Sequence, residues 1–595
     1  MLDQLQDTDS NISDLMEDDS AIDNAITLQK KEILKKEQIL WASKPSTKAL
    51  SNYQESFAHL EKLYTLKTSD DRYNFKIVIP VADRPQHLKQ CLDSLLALCK
   101  YYGYGGIDNN TYNKVSVLIA DDSKDNSNIA LNKQYCRDLT QAGVITEYFD
   151  LESQYALVKE FTNNNTALKN IIPYTDHISS EALYAHKGAS NMRNICYLKL
   201  KDEIKDNTLI YFIDSDQEFR ITAEHSDGSP FAINYFHYLN ENFKSENISI
   251  LTGKVVGDPP VSPAVMAGNF QQDVKHFLET IAKLKPEDNC QFHQDTMHCK
   301  DTAAYHDMAN LFGFNHNDST FSYHCALSHQ HSNLDCFNDF AEKLSHFFYG
   351  EHPTRKTFFN YDDGFTALTP ARTVYTGNYV IKAEALDYFI PFAPLKLRMA
   401  GPVLGRILQA NLGDKFVSAN LPMLHNRTVD ATGQSEFRAG VEKTDVTINL
   451  GSEFIRQFYG DVMLFSMVEI SKHDYPKSTI DEQVLTEILN VTYEKIRDSY
   501  IDRHNTILKL KSALEISITK ETSWWNNNAY NISSLSSSKQ CFHDFLKNIQ
   551  INFDDDTHAY IQITSNDHAK KYLANILQAI LEYQKDMASW KKVIS

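Results

Sequence analysis

Long apolar runs are missing from this sequence. No segment approaches the roughly 18–20 continuous apolar residues that a membrane span needs, and the start, MLDQLQDTDSNISDLMEDDS, has neither a basic leader nor an apolar signal core. The chain also lacks an excess of basic residues, since its formal net charge is −19. A nucleic-acid-binding protein needs a basic surface that displaces counterions. We therefore expect neither a membrane span nor a nucleic-acid partner.

A disulfide framework is also missing. The nine cysteines form no tight repeating pattern, and at least one of them must stay unpaired within the chain. Such cysteine usage favours a reducing compartment, so the expected location is cytoplasmic. No flexible Gly/Ser-rich or Pro-rich linker precedes residue 434 either, which predicts that the end of the chain is not a free module.

The chain is too long, at 595 residues, for one ordinary core, and 42% of its residues are hydrophobic. Three regions are predicted. Residues 1–72 form an acidic, partly disordered N-terminal helical arm, with a helix over Ile22–Trp41. Residues 73–433 form an α/β domain with an irregular insertion at about 258–373. Residues 434–595 are a helical region with a polar loop at Asn526–Lys539.

Short apolar runs alternate with helical patterns in the α/β domain. Helices are predicted around Leu88–Leu96, Asn132–Ala142, Ala189–Leu200 and Pro402–Ala410. Strands are predicted at Lys76–Val81, Val115–Ala120, Val144–Phe149, Leu209–Ile213, Thr376–Ile381 and Lys415–Ala419. This alternation predicts a mainly parallel, Rossmann-like sheet flanked by helices. Ligands bind such sheets beyond the carboxyl ends of the strands.

Aspartates follow two of these strands directly. Asp121 and Asp122 follow the second strand, Val115–Ala120, and Asp214-Ser215-Asp216 follows the strand Leu209–Ile213. Carboxylate oxygens suit Mg²⁺ and Mn²⁺, and Mg²⁺ typically combines one or two carboxylates with substrate phosphates. A lone D-x-D is usually a polar turn, but its position at a strand end favours a ligand site.

Four segments in this order resemble the nucleotide-sugar-binding half of a GT-A fold glycosyltransferase, family 2 in particular: IVIPVADRPQHLKQCLDSLL, VLIADDSKD, HKGASNMRN and YFIDSDQEF. The resemblance implies a transferase, a hexosyltransferase by expectation. It would move a sugar from a UDP- or GDP-sugar donor to an acceptor hydroxyl with the help of Mn²⁺ or Mg²⁺.

The resemblance also assigns roles to residues. The nucleotide wall would be Pro80, Ala82 and Arg84, and Asp122, together with Asp121, would hold the base or ribose. Asp214, Ser215 and Asp216 would lie at the sugar and metal. The residues beside the donor would be Lys187, Gly188, Arg193 and Asn194.

The second half continues the likeness. TGNYVIKAEALDYFIPF is similar to the segment that follows the family's acceptor region, and NLPMLHNRT is similar to its closing strand. The latter makes His425 a candidate third metal ligand. The alternative for His425 is a hydrogen-bonded structural role at the end of a sheet.

One departure from the family concerns the catalytic base. Inverting family members carry a carboxylate in the segment that corresponds to Leu397–Arg406, which here contains no acid. Asp362 and Asp363 are the predicted substitutes. Two alternatives stay open, a retaining glycosyltransferase and a non-catalytic sugar-nucleotide-binding scaffold. A nucleotidyltransferase is disfavoured because Val81–Arg84 is not a Gly-rich basic loop.

The insertion is rich in cysteine and histidine. Cys290-x2-His293 followed by His298-Cys299 has spacing that a structural zinc could use, with Cys325 and Cys336 further on. The spacing matches no established zinc finger. Such insertions also accumulate these residues without binding metal, so both readings stay open.

Overall fold

The computed structural model describes residues 19–42, 45–173, 184–204, 207–222, 230–292, 323, 325, 327, 330–361, 364–444, 447–527 and 533–595. The chain begins with helices α1 (Asp19–Trp41) and α2 (Thr47–Thr65). The Ser46 side chain accepts a hydrogen bond from the Ala49 amide and so caps α2. The predicted helix at Ile22–Trp41 is confirmed. None of the described helices is long and apolar enough to cross a membrane.

A central sheet organises the described part of the chain. Its strands are β1 (Asn74–Val81), β4 (Val115–Asp121), β5 (Ile145–Phe149), β6 (Thr208–Ile213), β7 (Gln217–Glu218), β8 (Ile250–Gly257), β9 (Leu368–Pro370), β10 (Asn378–Ile381) and β11 (Phe416–His425). Their spatial order is β5-β4-β1-β6-β10-β8-β11-β7, with β9 paired to β11. Small hairpins are made by β2 (Ile107–Asp108) with β3 (Thr111–Tyr112) and by β12 (Glu442–Lys443) with β13 (Ile448–Asn449).

Most of the long strands run parallel. β1 pairs in parallel with β4 and β6, and β8 with β11, whereas β10 runs antiparallel to both β6 and β8. The carboxyl ends of β1, β4, β6, β8 and β11 therefore meet at one edge of the sheet. The mainly parallel α/β sheet predicted from the alternation is confirmed, and the aspartates after β4 and β6 lie at that edge.

Helices cover both faces of the sheet. They are α3 (Pro85–Tyr102), α4 (Asn126–Gln141), α5 (Leu151–Asn164), α6 (Ala189–Leu200), α7 (Tyr235–Ser245), α8 (Pro263–Ile281), α9 (Asn333–Lys343) and α10 (Ala400–Leu412). Alternating strand residues enter two separate cores, because successive side chains of a strand point to opposite faces. Ile77 and Ile79 belong to the core that contains α1, α2 and α7, and Val78 belongs to the other.

The C-terminal helices share the second core with the sheet. They are α11 (Gly451–Ile470), α12 (Glu482–Thr519), α13 (Ser533–Phe553), α14 (His558–Thr564) and α15 (Asn566–Ile594). Trp590 is fully buried in the cluster that contains Val78, and its indole donates a hydrogen bond to the Leu386 carbonyl. Trp524 donates likewise to Ile281 at the end of α8. Short 3-10 helices occur at Thr166–Asn170, Leu344–Tyr349, Ala383–Asp387, Ala393–Leu395, Gly413–Lys415, Ser471–His473 and Trp524–Asn526.

Three sequence predictions were wrong in their bounds. α4 starts at Asn126 rather than Asn132, because Asp125 caps it by accepting from the Ser127 and Asn128 amides. The insertion is not wholly irregular, since α8 and α9 lie within it. The predicted polar loop at Asn526–Lys539 already contains the start of α13.

Candidate functional site

A cavity of about 480 Å³ opens at the edge where the parallel strands end. Most of the residues that the resemblance singled out line it together. They are Pro80, Ala82, Arg84, Asp122, Lys187, Gly188, Asp214, Ser215 and Asp216. These residues come from the ends of β1, β4 and β6 and from the turn that enters α6. The arrangement is the one expected for a ligand site of a mainly parallel sheet.

Asp122 anchors the turn before α6. Lys187 Nζ lies 2.5 Å from Asp122 Oδ1, and the Gly188 amide donates to Oδ2 at 3.2 Å. Burial raises the pKa of Asp122, and the opposing positive charge of Lys187 limits that rise. Gly188 has a φ of 94°, a left-handed conformation that glycine adopts without strain. Asp122 therefore fixes the position of Lys187 at the cavity wall.

Asp83 ties the ends of β1 and β4 to the same turn. Its carboxylate lies 2.6 Å from His186 Nε2 and accepts from the amides of Lys124 and Asp125. Partial burial would raise the pKa of Asp83. The hydrogen bonds to its carboxylate, above all that of His186, outweigh burial and hold the pKa below its usual value. The His186 ring stacks on Phe437 with centroids 4.4 Å apart. Neither Asp83 nor His186 was among the site residues predicted from the sequence.

The first carboxylate of the D-x-D pair is half-exposed. Asp214 Oδ1 lies 2.5 Å from the Arg193 guanidinium, which is fully buried and also donates to the Thr376 carbonyl. A Cβ atom at Gly377 would lie 2.6 Å from Asp214 Oδ2 and 2.9 Å from Gln217 Nε2. The absence of a side chain at Gly377 thus leaves room for the Asp214 carboxylate.

The second carboxylate, that of Asp216, is buried between two arginines. Its Oδ2 lies 2.9 Å from Arg84 Nη1 and 2.5 Å from Arg427 Nη1. Although burial opposes it, the positive charges of Arg427 and Arg84 hold the pKa of Asp216 well below its usual range. Asp216 is therefore ionised at neutral pH, and its charge is already compensated from two sides.

His425 ends β11 next to this pair. Its Nδ1 donates to the Asp258 carbonyl at 2.5 Å, because a carbonyl oxygen can only accept. In the neutral ring that hydrogen bond leaves the Nε2 lone pair free, and Nε2 lies 3.7 Å from Asp216 Oδ2. A hydrogen bond at the other ring nitrogen is the usual support of a metal-binding histidine. By donor type, Asp214, Asp216 and His425 suit a divalent cation. In the described part of the chain, however, their ligand atoms do not all lie within 4.8 Å of one another, and buried His425 is not among the residues that line the cavity.

Three residues that were predicted to contact the donor do not line the cavity. They are Asp121, Arg193 and Asn194. Asp121 accepts from Ser123, Asn132 and Tyr148, so its carboxylate is occupied within the protein. Asn194 hydrogen-bonds the backbone of Ile171 and Ile390. The structure gives these three residues supporting contacts instead of positions on the wall.

The cavity is rich in positive charge, although the chain is acidic. Three carboxylates line it, those of Asp122, Asp214 and Asp216, against six lysine and arginine side chains, Arg84, Lys187, Lys396, Arg398, Arg427 and Arg456. Four of these cations were not predicted from the sequence, Lys396, Arg398, Arg427 and Arg456. Arg427 lies in NLPMLHNRT and Arg398 in Leu397–Arg406, but nothing in the local sequence indicates that either side chain faces a site.

The acid-free segment Leu397–Arg406 borders the cavity through its first six residues. Its glycines serve packing, because a Cβ at Gly401 would lie 2.6 Å from the Val374 carbonyl and one at Gly405 would lie 2.4 Å from Thr373 Cα. Arg398 is the charged group that this segment presents there. It lies 2.6 Å from Glu453, which is buried.

The predicted bases, Asp362 and Asp363, lie outside the described residues. Their neighbours face the N-terminal arm. The Tyr361 hydroxyl donates to Glu37 of α1 at 2.7 Å, and a Cβ at Gly364 would lie 3.6 Å from that same carboxylate.

Comparisons with known proteins give distant similarities. No family model matches the sequence, and no curated protein matches it. The chain is similar to the mannosyltransferase PcManGT from Pyrobaculum calidifontis in complex with GDP-Man and Mn²⁺, with 8% identity and a TM-score of 0.29 over 85% of this chain and 98% of that one. It is also similar to S. aureus TarS 1–349, with 9% identity and a TM-score of 0.26 over 86% and 91% of the two chains. Such low TM-scores do not establish a common fold.

Proposed function

We propose that the protein is a glycosyltransferase of the GT-A type that moves a sugar, a hexose by expectation, from a UDP- or GDP-sugar to an acceptor hydroxyl. One observation carries this proposal. The D-x-D carboxylates and six cationic side chains share one cavity at the carboxyl edge of a mainly parallel sheet. A nucleotide diphosphate needs both kinds of group, cations for its phosphates and carboxylates for its metal. The cysteine composition supports a cytoplasmic location.

The donor's two ends match the two halves of the cavity. Pro80, Ala82 and Asp122 offer an apolar wall and a fixed carboxylate for the base and ribose. Arg84 and Arg427 both contact Asp216 Oδ2, so both guanidiniums would lie close to a diphosphate bound at that carboxylate. Preorganised positive charge stabilises the departing nucleotide diphosphate as the bond to the sugar breaks.

Asp214, Asp216 and His425 would hold Mn²⁺ or Mg²⁺. The bound cation would act as a Lewis acid that neutralises charge on the leaving diphosphate. The chain's own contribution is to keep Asp216 ionised and to orient His425 through the Asp258 carbonyl. Because Arg84 and Arg427 already neutralise Asp216, the arginines must release that carboxylate, and the donor phosphates are the partners that can receive them.

The acceptor hydroxyl loses its proton as it attacks the anomeric carbon, and that proton needs a base. We propose an inverting transfer with Asp362 or Asp363 as the base. The cavity wall at Leu397–Pro402 offers Arg398 and no carboxylate, and arginine stays protonated. A retaining transfer, in which the departing phosphate takes the proton, is the alternative.

A non-catalytic sugar-nucleotide-binding scaffold is the second candidate. Its supporting observation is that both D-x-D carboxylates are engaged by arginines, Asp214 by Arg193 and Asp216 by Arg84 and Arg427. In a scaffold those ion pairs would persist when the donor binds. In an enzyme, at least the ion pairs of Asp216 with Arg84 and Arg427 would break when the donor binds.

A panel of sugar nucleotides separates the two candidates. Purified protein is incubated with UDP-, GDP-, CMP- and dTDP-sugars and Mn²⁺, Mg²⁺ or EDTA, and both thermal stabilisation and free nucleotide are measured. Ligand binding raises the apparent stability of the native state. An enzyme gives a stabilising donor that is also slowly hydrolysed, and EDTA removes the hydrolysis. Stabilisation without any released nucleotide would support the scaffold, and no stabilisation by any donor would contradict both.

A further inference from the structure

Three cysteine sulfurs converge at the base of α9, away from the cavity. The Sγ atoms of Cys290, Cys325 and Cys336 all lie within 4.8 Å of one another. His331 Nε2 lies 3.2 Å from Cys325 Sγ. Within the described ranges, this is the only group of three or more His, Cys, Asp or Glu side chains whose ligand atoms come that close together.

Backbone hydrogen bonds hold the four residues in place. The Cys290 amide donates to the His331 carbonyl at 2.9 Å, and the Cys325 amide donates to Phe292 at 3.1 Å. Ser332 begins α9 with a capping box that it forms with Asp335, and this fixes Cys336 in the first turn. Three separate stretches of chain therefore deliver one thiol each to the same point.

The surroundings suit a buried metal. Cys325 and Cys336 are 2% and 0% exposed, whereas Cys290 and His331 are half-buried and leave a side for entry. Aromatic rings adjoin the cluster in sequence and contact one another edge to face: the ring centroids of Phe292 and Tyr323 are 5.5 Å apart, and those of Tyr323 and Phe340 are 4.9 Å apart. Such an apolar shell excludes water, which favours a closed structural site.

We propose that Cys290, Cys325, Cys336 and His331 bind one structural Zn²⁺. Tetrahedral zinc has Zn–S distances of about 2.3 Å, which place sulfurs ~3.8 Å apart. The three sulfurs already lie within 4.8 Å of one another, so small shifts of their side chains would bring them to one metal. The three thiols release their protons to solvent as the metal binds. Cys290 belongs both to this ligand set and to the one expected from sequence spacing, whereas His293, His298 and Cys299 lie outside the described residues.

The zinc would fasten the chain on both sides of residues 293–322. Cys290 precedes that stretch, Cys325 follows it, and Cys336 belongs to α9, whose Phe337 stacks on Trp525 of the C-terminal region. Buried cysteines without metal behave as small hydrophobic residues. Three converging thiols, with an imidazole nitrogen 3.2 Å from one of them, make the metal-bound state the more economical explanation of the cluster.

The test uses the full chain, with zinc measured by elemental analysis in four variants. The variants are Cys336→Ser, His331→Gln, Cys299→Ser and Cys541→Ser. Cys541 is a half-buried free thiol on α13 and serves as the matched control. We expect about one zinc per chain in the wild type, in Cys299→Ser and in Cys541→Ser. We expect at least a tenfold loss in Cys336→Ser and a clear loss on brief chelator treatment in His331→Gln.

Cobalt substitution of the wild type guards against variants that fail to fold. Co²⁺ in a site with three thiolates gives an intense thiolate-to-metal charge-transfer band and the strong visible bands of tetrahedral coordination, and zinc should bleach both. A wild type that binds neither metal after reconstitution would overturn the proposal. Zinc that survives Cys336→Ser, zinc that is lost in Cys299→Ser, or a disulfide among the three cysteines under non-reducing alkylation would overturn it too. Donor turnover does not enter these readouts, so the proposed function stands or fails separately.

Discussion

Arg427 Nη1 lies 2.5 Å from Asp216 Oδ2 and so joins the ends of two strands that are not neighbours in the sheet. Arg427 follows β11, Asp216 follows β6, and β10 and β8 lie between these strands. Without a ligand, ion pairs hold this part of the cavity together. Any donor or cation that binds Asp216 must therefore displace Arg84 and Arg427 from that carboxylate. Activity should depend steeply on the charge of the Asp216 side chain.

Asp216→Asn should abolish turnover. The amide cannot balance a cation and a diphosphate, so we expect activity to fall by about a hundredfold or more. The variant should stay folded but be destabilised by up to about 3–5 kcal/mol, because Arg84 and Arg427 lose a charged partner. Donor hydrolysis and urea unfolding measure the two effects.

Asp93→Asn is the matched control for this change. Asp93 is an exposed carboxylate on α3 that pairs with Lys89, and such surface pairs contribute little. The activity and the stability of the Asp93→Asn variant should match those of the wild type. Near wild-type turnover in Asp216→Asn would show that the D-x-D assignment is wrong.

Gly377→Ala should displace the other D-x-D carboxylate. The new Cβ would lie 2.6 Å from Asp214 Oδ2, closer than real contacts allow, so Asp214 must move away from the position that it shares with Arg193. We expect donor turnover to fall at least about tenfold, since misplacement by about 1 Å is costly in an active site.

Gly268→Ala provides the comparison for Gly377→Ala. Gly268 lies in α8, where a Cβ would find its nearest neighbour 3.7 Å away, at Ile507. Alanine is the better helix former by about 1 kcal/mol, so this variant should be fully active and at least as stable as the wild type. Unchanged kinetics in Gly377→Ala would mean that Asp214 has no part in catalysis.

The parts of the site that sequence could predict are local to strand ends. Asp122, Asp214 and Asp216 follow apolar runs directly, so their position at one edge follows from a parallel sheet. Asp121 does not line the cavity, because neighbouring residues of a strand point to opposite faces, and the sequence does not say which of two adjacent aspartates faces it.

The distant parts of the site could not be predicted. Arg427, Arg398 and Arg456 reach the cavity only through tertiary packing, in which α10 lies against Thr373 and Val374 through Gly401 and Gly405. The same holds for the cysteine cluster, where Cys325 and Cys336 join Cys290 across more than thirty residues of chain. Spacing along the sequence favoured His293 and His298 instead.

Stability should depend on pH through Asp461. This carboxyl is buried in α11, where it accepts from Tyr500 and Gln457, and burial raises its pKa to about 7. The unfolded pKa is about 3.9. The native state therefore holds the proton more tightly, so the contribution of Asp461 to stability is largest below pH ~4 and declines as pH rises towards 7.

Asp461→Asn should remove this dependence. The amide can donate to Gln457 Oε1, which has no hydrogen-bond partner among the described residues, and it still accepts from Tyr500. We expect the free energy of unfolding of the variant, relative to wild type, to rise between pH ~4 and ~7. Exposed Asp498→Asn on α12 is the control. If the free energy of unfolding of Asp461→Asn relative to wild type stays constant or falls between these pH values, Asp461 does not have a raised pKa in the native state.

Truncation after residue 433 should give insoluble or inactive protein. The C-terminal helices bury Trp590, Tyr583 and Phe458 in the same core as Val78 of β1. Removing these helices would therefore expose to water the core residues that they cover. Expression of residues 1–433 beside the full chain, followed by sedimentation and donor hydrolysis, measures this. A soluble and active fragment would show that the region is a separate module.

The last prediction concerns stereochemistry. Inversion requires a base near the acceptor hydroxyl, on the face of the sugar opposite the nucleotide. The three carboxylates on the described wall of the cavity are engaged, Asp122 by Lys187, Asp214 by Arg193 and Asp216 by Arg84 and Arg427. We propose that the carboxylate of Asp362 or Asp363, outside the described residues, takes the proton. We expect inversion, with activity reduced at least about a hundredfold in the Asn variant of the one that acts as base.

NMR of the anomeric proton in the first-formed product decides between the two outcomes, because its coupling constant reports the configuration before mutarotation. Tyr361→Phe is the matched control. It removes the hydroxyl that donates to Glu37 and therefore tests whether this loop acts through its attachment to α1 rather than through a carboxylate. Retained configuration would contradict the inverting assignment and favour a departing phosphate that takes the proton itself. Inversion with full activity in both Asp362→Asn and Asp363→Asn would keep the stereochemistry but place the base elsewhere in the chain.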